Sequence, residues 1–211
     1  MKTMRGKFIT IEGGEGVGKS SFLKYLTKEL SLRGIETVTT REPGGTPTAD
    51  RIRAIFNHPP ENDPLTIEAE AFLVSAARAQ HCAKVIEPAL QKAIWVLCDR
   101  FTDSTRAYQG ILGGADPELL EGLIKSSTKN LVPDVTFLLD CPVEISMERV
   151  GNRGELKTRY DAASVQVHDN LRQAFLRIAQ QFPERFIVID ASLTAAEVGL
   201  CALEKLDKHF G

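Results

Sequence analysis

The stretch that most constrains how this chain can fold is GGEGVGKS, residues Gly13–Ser20. It fits the pattern G-x-x-x-x-G-K-[ST], a glycine-rich loop whose backbone N–H groups surround a polyphosphate. The apolar run Phe8–Ile11 precedes it and predicts a buried strand, while apolar residues at helical spacing, from Phe22 to Leu30, follow it. A strand, a loop and a helix in this order predict a phosphate-binding turn in an α/β fold.

Each part of this loop has a chemical task. Glycines allow close backbone approach to phosphate, and the helix that starts there directs its positive end at the anion. Lys19 can reach the β- and γ-phosphates, and the Ser20 hydroxyl can ligate Mg²⁺. The residues that we expect to contact ATP are Gly13, Gly14, Glu15, Gly16, Val17, Gly18, Lys19 and Ser20.

The rest of the chain alternates between strand-like and helix-like patterns. The near-continuous apolar runs predict strands buried on both faces; they are Phe8–Ile11, Ile35–Thr40, Ile94–Cys98, Val135–Leu139 and Phe186–Ile189. Helical patterns separate them, the clearest running from Leu171 to Phe182. We therefore predict an α/β fold of the P-loop NTPase type, with a five-stranded parallel sheet flanked by helices, in a single domain over residues 1–211.

The composition of the chain limits the kinds of partner that it can bind. The 211 residues carry a net charge of −2, which argues against a nucleic-acid-coating protein but leaves room for a local nucleotide site. No apolar run approaches membrane-spanning length, and the amino terminus lacks a secretory segment. The cysteines show neither paired nor metal-ligand spacing, as is typical of a reducing compartment. We expect a cytoplasmic protein that contacts neither nucleic acid nor membrane.

Charged residues follow the predicted strands, and parallel sheets bind ligands at the carboxyl ends of their strands. Asp99, directly after the third strand, is placed to hold Mg²⁺; a helix N-cap or an ion pair with Arg100 would also explain it. A phosphoryl transfer must hold a second phosphate, for which arginine is suited. Arg41, Arg53, Arg78 and Arg100 are candidates, although each could be a solvated surface arginine.

A basic segment, Arg149–Arg159, lies between two helical patterns and contains two glycines and four cations. This composition fits a mobile lid over about residues 149–160 that closes over phosphates and excludes water. A lid arginine can stabilise the charge of the transferring phosphoryl group. A flexible basic surface loop is the alternative interpretation of the same composition.

Four segments together resemble the bacterial thymidylate kinase (dTMP kinase) family. They are IEGGEGVGKS (residues 11–20), TREPGGT (40–46), DRFTDSTRAYQG (99–110) and RGEL (153–156). The resemblance implies transfer of the γ-phosphoryl group of MgATP to dTMP, giving dTDP and ADP, by a homodimer. It implies that Arg100 binds the acceptor phosphate and that Arg153 is the lid arginine; with Lys19 these are the expected catalytic residues, and Ser20 and Asp99 remain the expected metal ligands.

The resemblance also implies an acceptor site. Glu15 would lie near the sugar of dTMP, Arg100 and Arg53 near its phosphate, and Arg78 at the edge of the thymine ring. The complete set of implied dTMP-binding residues is Glu15, Glu42, Arg53, Arg78, Arg100, Thr105 and Gln109. Asp190–Ser192 resembles the family segment beside the ATP adenine.

One of the departures from the family pattern concerns the base site; another lies in the lid, at residues 157–161. The family usually has an aromatic residue one helical turn before the base-contacting arginine, and here that position is Val74. Phe72 precedes it by two residues and so projects from a different face of the helix, where we expect it in the core. The sequence thus predicts a base site without this stacking ring.

Two other functions remain open from the residues. A kinase for another nucleoside monophosphate is the nearer alternative, because of Val74. A regulatory P-loop GTPase or nucleotide switch is the second, although the chain contains no N-K-x-D segment for reading guanine.

Overall fold

The structure, a computed structural model, describes residues 5–151, 160 and 163–211. Its strands are β1 (Phe8–Glu12), β2 (Thr37–Arg41), β3 (Trp95–Asp99), β4 (Val135–Asp140) and β5 (Phe186–Asp190). They form one five-stranded sheet in the order β2-β3-β1-β4-β5. All the pairings are parallel, so the predicted sheet is confirmed, with each strand within two residues of its expected bounds.

Strand β1 occupies the centre of the sheet. Ile9 pairs with Leu97 of β3 on one side and with Val135 of β4 on the other. Because all five strands run in the same direction, their carboxyl ends meet at one edge, where ligands bind in such sheets. The segments that follow β1, β2 and β3 therefore converge there.

The α-helices of the described residues alternate with these strands. They are α1 (Lys19–Leu32), α2 (Pro47–Asn57), α3 (Ile67–His81), α4 (Glu87–Gln91), α5 (Thr102–Thr105), α6 (Pro117–Thr128), α7 (Val143–Gly151), α8 (Val165–Gln181) and α9 (Ala195–Phe210). Side-chain caps fix several of their starts. Thr194 and Glu197 form the capping box expected from the sequence, each side chain accepting from the other's backbone N–H.

The two faces of the sheet are covered by different helices. Ile9 and Phe137 pack in one apolar cluster with residues of α1 and α9. Leu138, which points the other way, packs with Phe175 and its neighbours on α8. This packing confirms that α8 is an amphipathic helix. The central strand β1, which is covered on both faces, is wholly buried.

Two expectations about burial are wrong. Strands β2 and β5 are not buried on both faces, because they lie at the edges of the sheet; no side chain of β2 is fully buried, and Val188 of β5 is 39% exposed. Phe72 is not a core residue and is 51% exposed. The buried face of α3 is formed instead by residues such as Ala71, Val74 and Ala77.

Two π-helical segments, Cys82–Ile86 and Arg106–Leu112, continue α3 and α5. They were not predicted, because their apolar spacing does not differ enough from that of an α-helix. Such segments often occur at functional sites, and the second contains Tyr108 and Gln109. Among the described residues, no helix is both long enough and apolar enough to cross a membrane.

Candidate functional site

The phosphate loop joins β1 to α1, and its backbone packs closely against neighbouring segments. Gly16 adopts φ +74° and Gly18 adopts φ +99°, conformations that favour glycine. A Cβ atom on Gly16 would collide with the carbonyl oxygen of Ser146 at the start of α7. Helix α1 has no side-chain cap and no acidic residue in its first turn, so its amino-terminal N–H groups are available to an anion.

Lys19 lies at the start of α1 with its ammonium group over the loop. Its Nζ donates to the carbonyl oxygens of Gly13 at 3.0 Å and Gly14 at 2.6 Å. Burial and the nearby charge of Arg100 lower the pKa of Lys19 to about 8. The side chain is a cation in a largely dehydrated position, where an anionic ligand would interact strongly with it.

Arg100 directly follows β3 and connects the loop to a neighbouring cavity. Its Nη2 donates to Glu15 at 2.7 Å, and its Nη1 donates to the carbonyl oxygen of Gly13 at 3.0 Å and to Ser104 Oγ at 3.2 Å. Burial opposes the charge on Arg100, yet Glu15 and other partners raise its pKa well above the usual range. Arg100 is therefore a permanent cation at the junction.

Asp99, the last residue of β3, has a buried Oδ1 with no hydrogen-bond partner in the part of the chain that the structure describes. The ion pair with Arg100 considered above does not occur among the described residues, and Asp99 is not the N-cap of α5, a position held by Phe101. Asp99 and Ser20 line the same open groove beside α1. No set of three or more His, Cys, Asp or Glu residues in the described ranges could hold a metal, so a nucleotide would have to supply further ligands.

A cavity beside the phosphate loop brings together every residue that the sequence placed at the dTMP site. Its lining includes Glu15, Glu42, Arg53, Arg78, Arg100, Thr105 and Gln109. These residues come from the loops after three strands and from the helical segments α2, α3, α5 and Arg106–Leu112. The structure therefore brings the set together.

Arg78 is the most buried charged group of this cavity, at 2% exposed. Its Nε donates to Glu42 at 2.7 Å, and its Nη2 donates to Thr105 Oγ1 at 2.9 Å and to the carbonyl oxygen of Phe101 at 3.2 Å. Nη1 is buried and has no partner among the described residues. A buried donor without an acceptor lowers the stability of the protein unless a ligand accepts a hydrogen bond from it.

Glu42 is held from two sides. Besides Arg78, it accepts from His81 Nδ1 at 3.0 Å, while the opposite ring nitrogen, Nε2, lies 2.7 Å from Thr40 Oγ1. Gly45 adopts φ +84°, and a Cβ atom there would lie 2.6 Å from the His81 ring. The glycine thus allows the loop after β2 to pack against His81, a contact that sequence reasoning missed.

Arg53 adds a further cation to the lining of the cavity. Its Nη1 donates to the carbonyl oxygen of Pro43 at 2.9 Å. Burial, then repulsion from Arg41 and Arg100, lowers the pKa of Arg53. This repulsion between neighbouring cations would be relieved by a bound anion.

The far end of the cavity contains aromatic and amide groups. Gln109 Nε2 donates to the buried carboxylate of Glu70 at 2.9 Å, and the hydroxyl of Tyr160 lies 3.3 Å from the same oxygen. The rings of Tyr108 and Tyr160 meet edge to face, with centroids 4.7 Å apart. Val74 also lines the cavity, whereas Phe72 does not.

A second, largely apolar cavity lies on the other side of the loop, between Val17, Leu193 and Val198. Arg149 of α7 borders it and donates to the carbonyl oxygen of Ala191 at 2.8 Å. This is where the segment expected beside adenine, Asp190–Ser192, leaves β5. Most of the predicted lid, residues 152–159, lies outside the described residues, and Arg153 lies there too.

Sequence reasoning also missed Glu12, which is wholly buried at the end of β1. It accepts from the backbone N–H groups of Phe101 and Ser104 and from the hydroxyl of Ser104. Burial and then the charge of Asp103 raise the pKa of Glu12 to about 7. In the sequence Glu12 looks like an ordinary strand residue. Nothing near it in the sequence predicts its hydrogen bonds to residues 101–104.

The comparisons with known proteins agree with one another. The thymidylate kinase family model matches residues 11–199. The chain is 47% identical over 199 residues to the thymidylate kinase of Chromohalobacter salexigens, covering 93% of this chain and 94% of that one. It is 45% identical over 195 residues to that of Ectopseudomonas mendocina, covering 92% of each.

A third relative shows the same similarity. The thymidylate kinase of Afipia carboxidovorans is 45% identical over 196 residues, which cover 92% of this chain and 86% of that one. The matches span the phosphate loop, the acceptor cavity and the segment after β5 alike. This chain belongs to the thymidylate kinase family.

Proposed function

We propose that this protein transfers the γ-phosphoryl group of ATP to dTMP and releases dTDP and ADP. The position of Arg100 carries the proposal, since it contacts both Gly13 and Glu15 of the phosphate loop and lines the acceptor cavity. A phosphoryl transfer must bring two phosphate groups together, and a permanent cation at this junction can serve both. The relatives named thymidylate kinase support dTMP as the acceptor.

We assign the acceptor phosphate to the end of the cavity that holds Arg53 and Arg100. The charge of Arg100 helps to lower the pKa of both Arg53 and Lys19, so Arg100 repels each of these two cations. An anionic ligand bound between them relieves that repulsion. Glu15 lies on the same side, next to the sugar in this assignment.

We assign the thymine ring to the end that holds Arg78, Thr105 and Gln109. Glu42 and Thr105 fix the guanidinium group of Arg78, which leaves the buried Nη1 as a donor for the base. An N–H group favours a ring carbonyl, present in thymine and uracil, over the amino group of cytosine at that position. Gln109 supplies a further amide to the ring edge.

The reaction requires little covalent chemistry from the protein. An oxygen of the dTMP phosphate forms a bond to the γ-phosphorus, and the bond from that phosphorus to the β,γ-bridging oxygen breaks, its electron pair leaving on ADP. The attacking oxygen already carries negative charge, so no strong general base is needed. Lys19, Arg100 and Arg153 act by positioning the phosphates and neutralising their charge.

The groups near the phosphate loop fit Mg²⁺. The hydroxyl of Ser20 and the carboxylate of Asp99 are hard oxygen donors in one groove, and Asp99 Oδ1 has no hydrogen-bond partner within the described ranges. We propose that these two residues hold the ion, directly or through water. When bound with ATP, Mg²⁺ neutralises charge on the β- and γ-phosphates.

We also propose a single kinase domain, a lid over about residues 149–160 and a homodimer in the cytoplasm, all on the family resemblance. Phe72 on α3 and Ile55 on α2 expose apolar side chains that a subunit contact could cover. Light scattering coupled to size-exclusion chromatography tests the dimer. A mass equal to that of one chain at micromolar concentration would contradict it.

The central experiment is a coupled assay of ADP release with dTMP, dUMP, dCMP, dGMP and dAMP as acceptors. We expect the highest kcat/KM with dTMP and no release by the Lys19→Ala variant, which shows that turnover belongs to this protein. A higher kcat/KM with another monophosphate would identify the alternative kinase. GTP binding in preference to ATP, without turnover of any acceptor, would indicate a nucleotide switch instead.

A further inference from the structure

The starting point is the backbone conformation of Arg100. Its φ of +67° lies in the left-handed region, which a long side chain rarely adopts. The conformation turns the chain sharply after β3, so that the Arg100 side chain points back to the phosphate loop. Something in the fold must hold the turn in place, since such conformations persist only where their surroundings impose them.

Two consecutive residues of β1 hold this turn. The backbone N–H of Arg100 donates to the carbonyl oxygen of Ile11 at 2.9 Å and continues the pairing of β1 with β3. The next N–H, of Phe101, cannot continue the ladder because the chain has turned. It donates instead to the side chain of Glu12, Oε1, at 2.8 Å.

The Glu12 carboxylate is also linked to the guanidinium group of Arg100, through the hydroxyl of Ser104. Glu12 Oε2 accepts from Ser104 Oγ at 2.6 Å, and that hydroxyl in turn accepts from Arg100 Nη1 at 3.2 Å. The carboxylate therefore fixes the turn through the backbone and directs the side chain through Ser104. Glu12 lies between the phosphate loop, which begins at Gly13, and the residue that we assign to the acceptor phosphate.

We propose that Glu12 is a positioning residue for phosphoryl transfer, which holds Arg100 in its left-handed turn and directs its guanidinium group to the acceptor phosphate. The proposal rests on the proposed function, because it takes Arg100 as the contact of that phosphate. Glu12 itself is buried and is absent from the lining of the acceptor cavity. It therefore acts through Arg100 and Ser104.

A role limited to stabilising the fold is the alternative, and steady-state kinetics separates the two. In Glu12→Ala, the N–H groups of Phe101 and Ser104 lose their acceptor and Arg100 is no longer directed. We expect the KM for dTMP to rise about tenfold or more and kcat to fall, while the KM for ATP stays within about twofold. Glu12→Gln keeps an oxygen that can accept these N–H groups, so it should restore most of the dTMP affinity.

Thr10→Val is the matched control. Thr10 lies two residues earlier on β1, is equally buried, and its hydroxyl bonds to Thr136, with an oxygen-to-oxygen distance of 2.8 Å, and not to the turn. Its loss should lower stability without changing the KM for dTMP. If Thr10→Val raises that KM as much as Glu12→Ala does, the effect is general destabilisation and the proposal is wrong.

A double-mutant cycle with Arg100→Ala tests the route of the effect. If Glu12 acts through Arg100, adding Glu12→Ala to Arg100→Ala should not raise the KM for dTMP further. Additive effects would overturn the proposal. Should Glu12→Ala fail to fold, Ser104→Ala breaks the side-chain link alone and should raise the dTMP KM by a smaller factor; an unchanged KM there overturns it.

The failure of this inference is distinguishable from failure of the proposed function. An inactive wild-type protein with dTMP contradicts the function itself. An active wild type with a Glu12→Ala variant of unchanged dTMP KM contradicts only the role of Glu12.

Discussion

Nη2 of Arg100 lies 2.7 Å from Oε1 of Glu15. This ion pair holds Arg100, the first residue after β3, against the phosphate loop. The hydroxyl of Tyr108 donates to the same carboxylate oxygen at 2.8 Å. A phosphate that binds Arg100 must compete with Glu15 for the guanidinium group. With Arg100 as the proposed contact of the acceptor phosphate, we expect affinity for the acceptor to depend on this competition and to change on substitution of Arg100 or Glu15.

Lys19→Ala should abolish turnover while the protein stays folded, because the ammonium group acts on phosphate and contributes no apolar packing. We expect kcat to fall by about a hundredfold or more, as for loss of a major transition-state charge. Lys125→Ala, which removes an exposed lysine of α6, is the control and should leave kcat unchanged. A Lys19→Ala variant with more than about a tenth of the wild-type kcat would refute the phosphate-loop assignment.

Arg100→Ala and Arg153→Ala should give different kinetic profiles. In the proposed function Arg100 contacts the acceptor phosphate in both ground and transition states, so its loss should raise the KM for dTMP and lower kcat. Arg153, which lies outside the described residues, is expected to act on the transferring group, so its loss should mainly lower kcat. Measuring both constants for both variants decides, and identical profiles would show that this division of roles is wrong.

Val74→Phe should tighten dTMP binding, since a ring stacked on a base contributes about 1–3 kcal/mol. Val74 lines the cavity near Phe101 and Tyr108, so space for the new ring depends on how the base lies between them. Calorimetric titration with dTMP measures the change, and Phe72→Val on the exposed face of α3 is the control. A dTMP complex in which another ring already lies flat on thymine would contradict the missing stack.

Glu12→Gln should change how stability depends on pH. The pKa of Glu12 is about 7 in the folded protein against an ordinary value of 4.5, because burial and then Asp103 raise it, against the opposing effects of Ser104, Arg100 and the Phe101 N–H. The folded protein thus binds this proton more tightly, so the group's contribution to the free energy of unfolding is greatest below pH 4.5 and falls as pH rises to about 7.

The glutamine variant lacks this titration. Relative to the wild type, its free energy of unfolding should therefore increase between about pH 5 and about pH 8, as measured by chemical denaturation. A difference between the two proteins that is constant over this range would mean that Glu12 titrates at its ordinary pKa.

The sequence predicts the sheet well because the apolar runs, such as Val135–Leu139, fall in the strands themselves. It does not distinguish central from edge strands, so Ile35–Thr40 was expected to be buried although β2 is an edge strand. The exposure of Phe72 could not be predicted either, since an aromatic residue on a helix can face the core or the surface with the same spacing.

The candidate site also contains some residues that the sequence predicts and others that it does not. The residues that line the cavity, from Glu15 to Gln109, could be named because they belong to short segments with a recognisable family pattern. The groups that hold them, His81 behind Glu42 and Glu12 behind Arg100, could not be named. Their contacts join residues far apart in the chain, and only the folded backbone brings them together.

The central place of β1 also has a consequence for biosynthesis. Ile9 is synthesised well before its neighbours in the sheet, Leu97 and Val135. The phosphate loop is thus translated before β3 and β4, and the strand that carries it cannot complete its pairing until β4 has emerged. A nascent chain that stalls before Val135 would expose the apolar β1 without its second neighbour, a state prone to aggregation and dependent on chaperones.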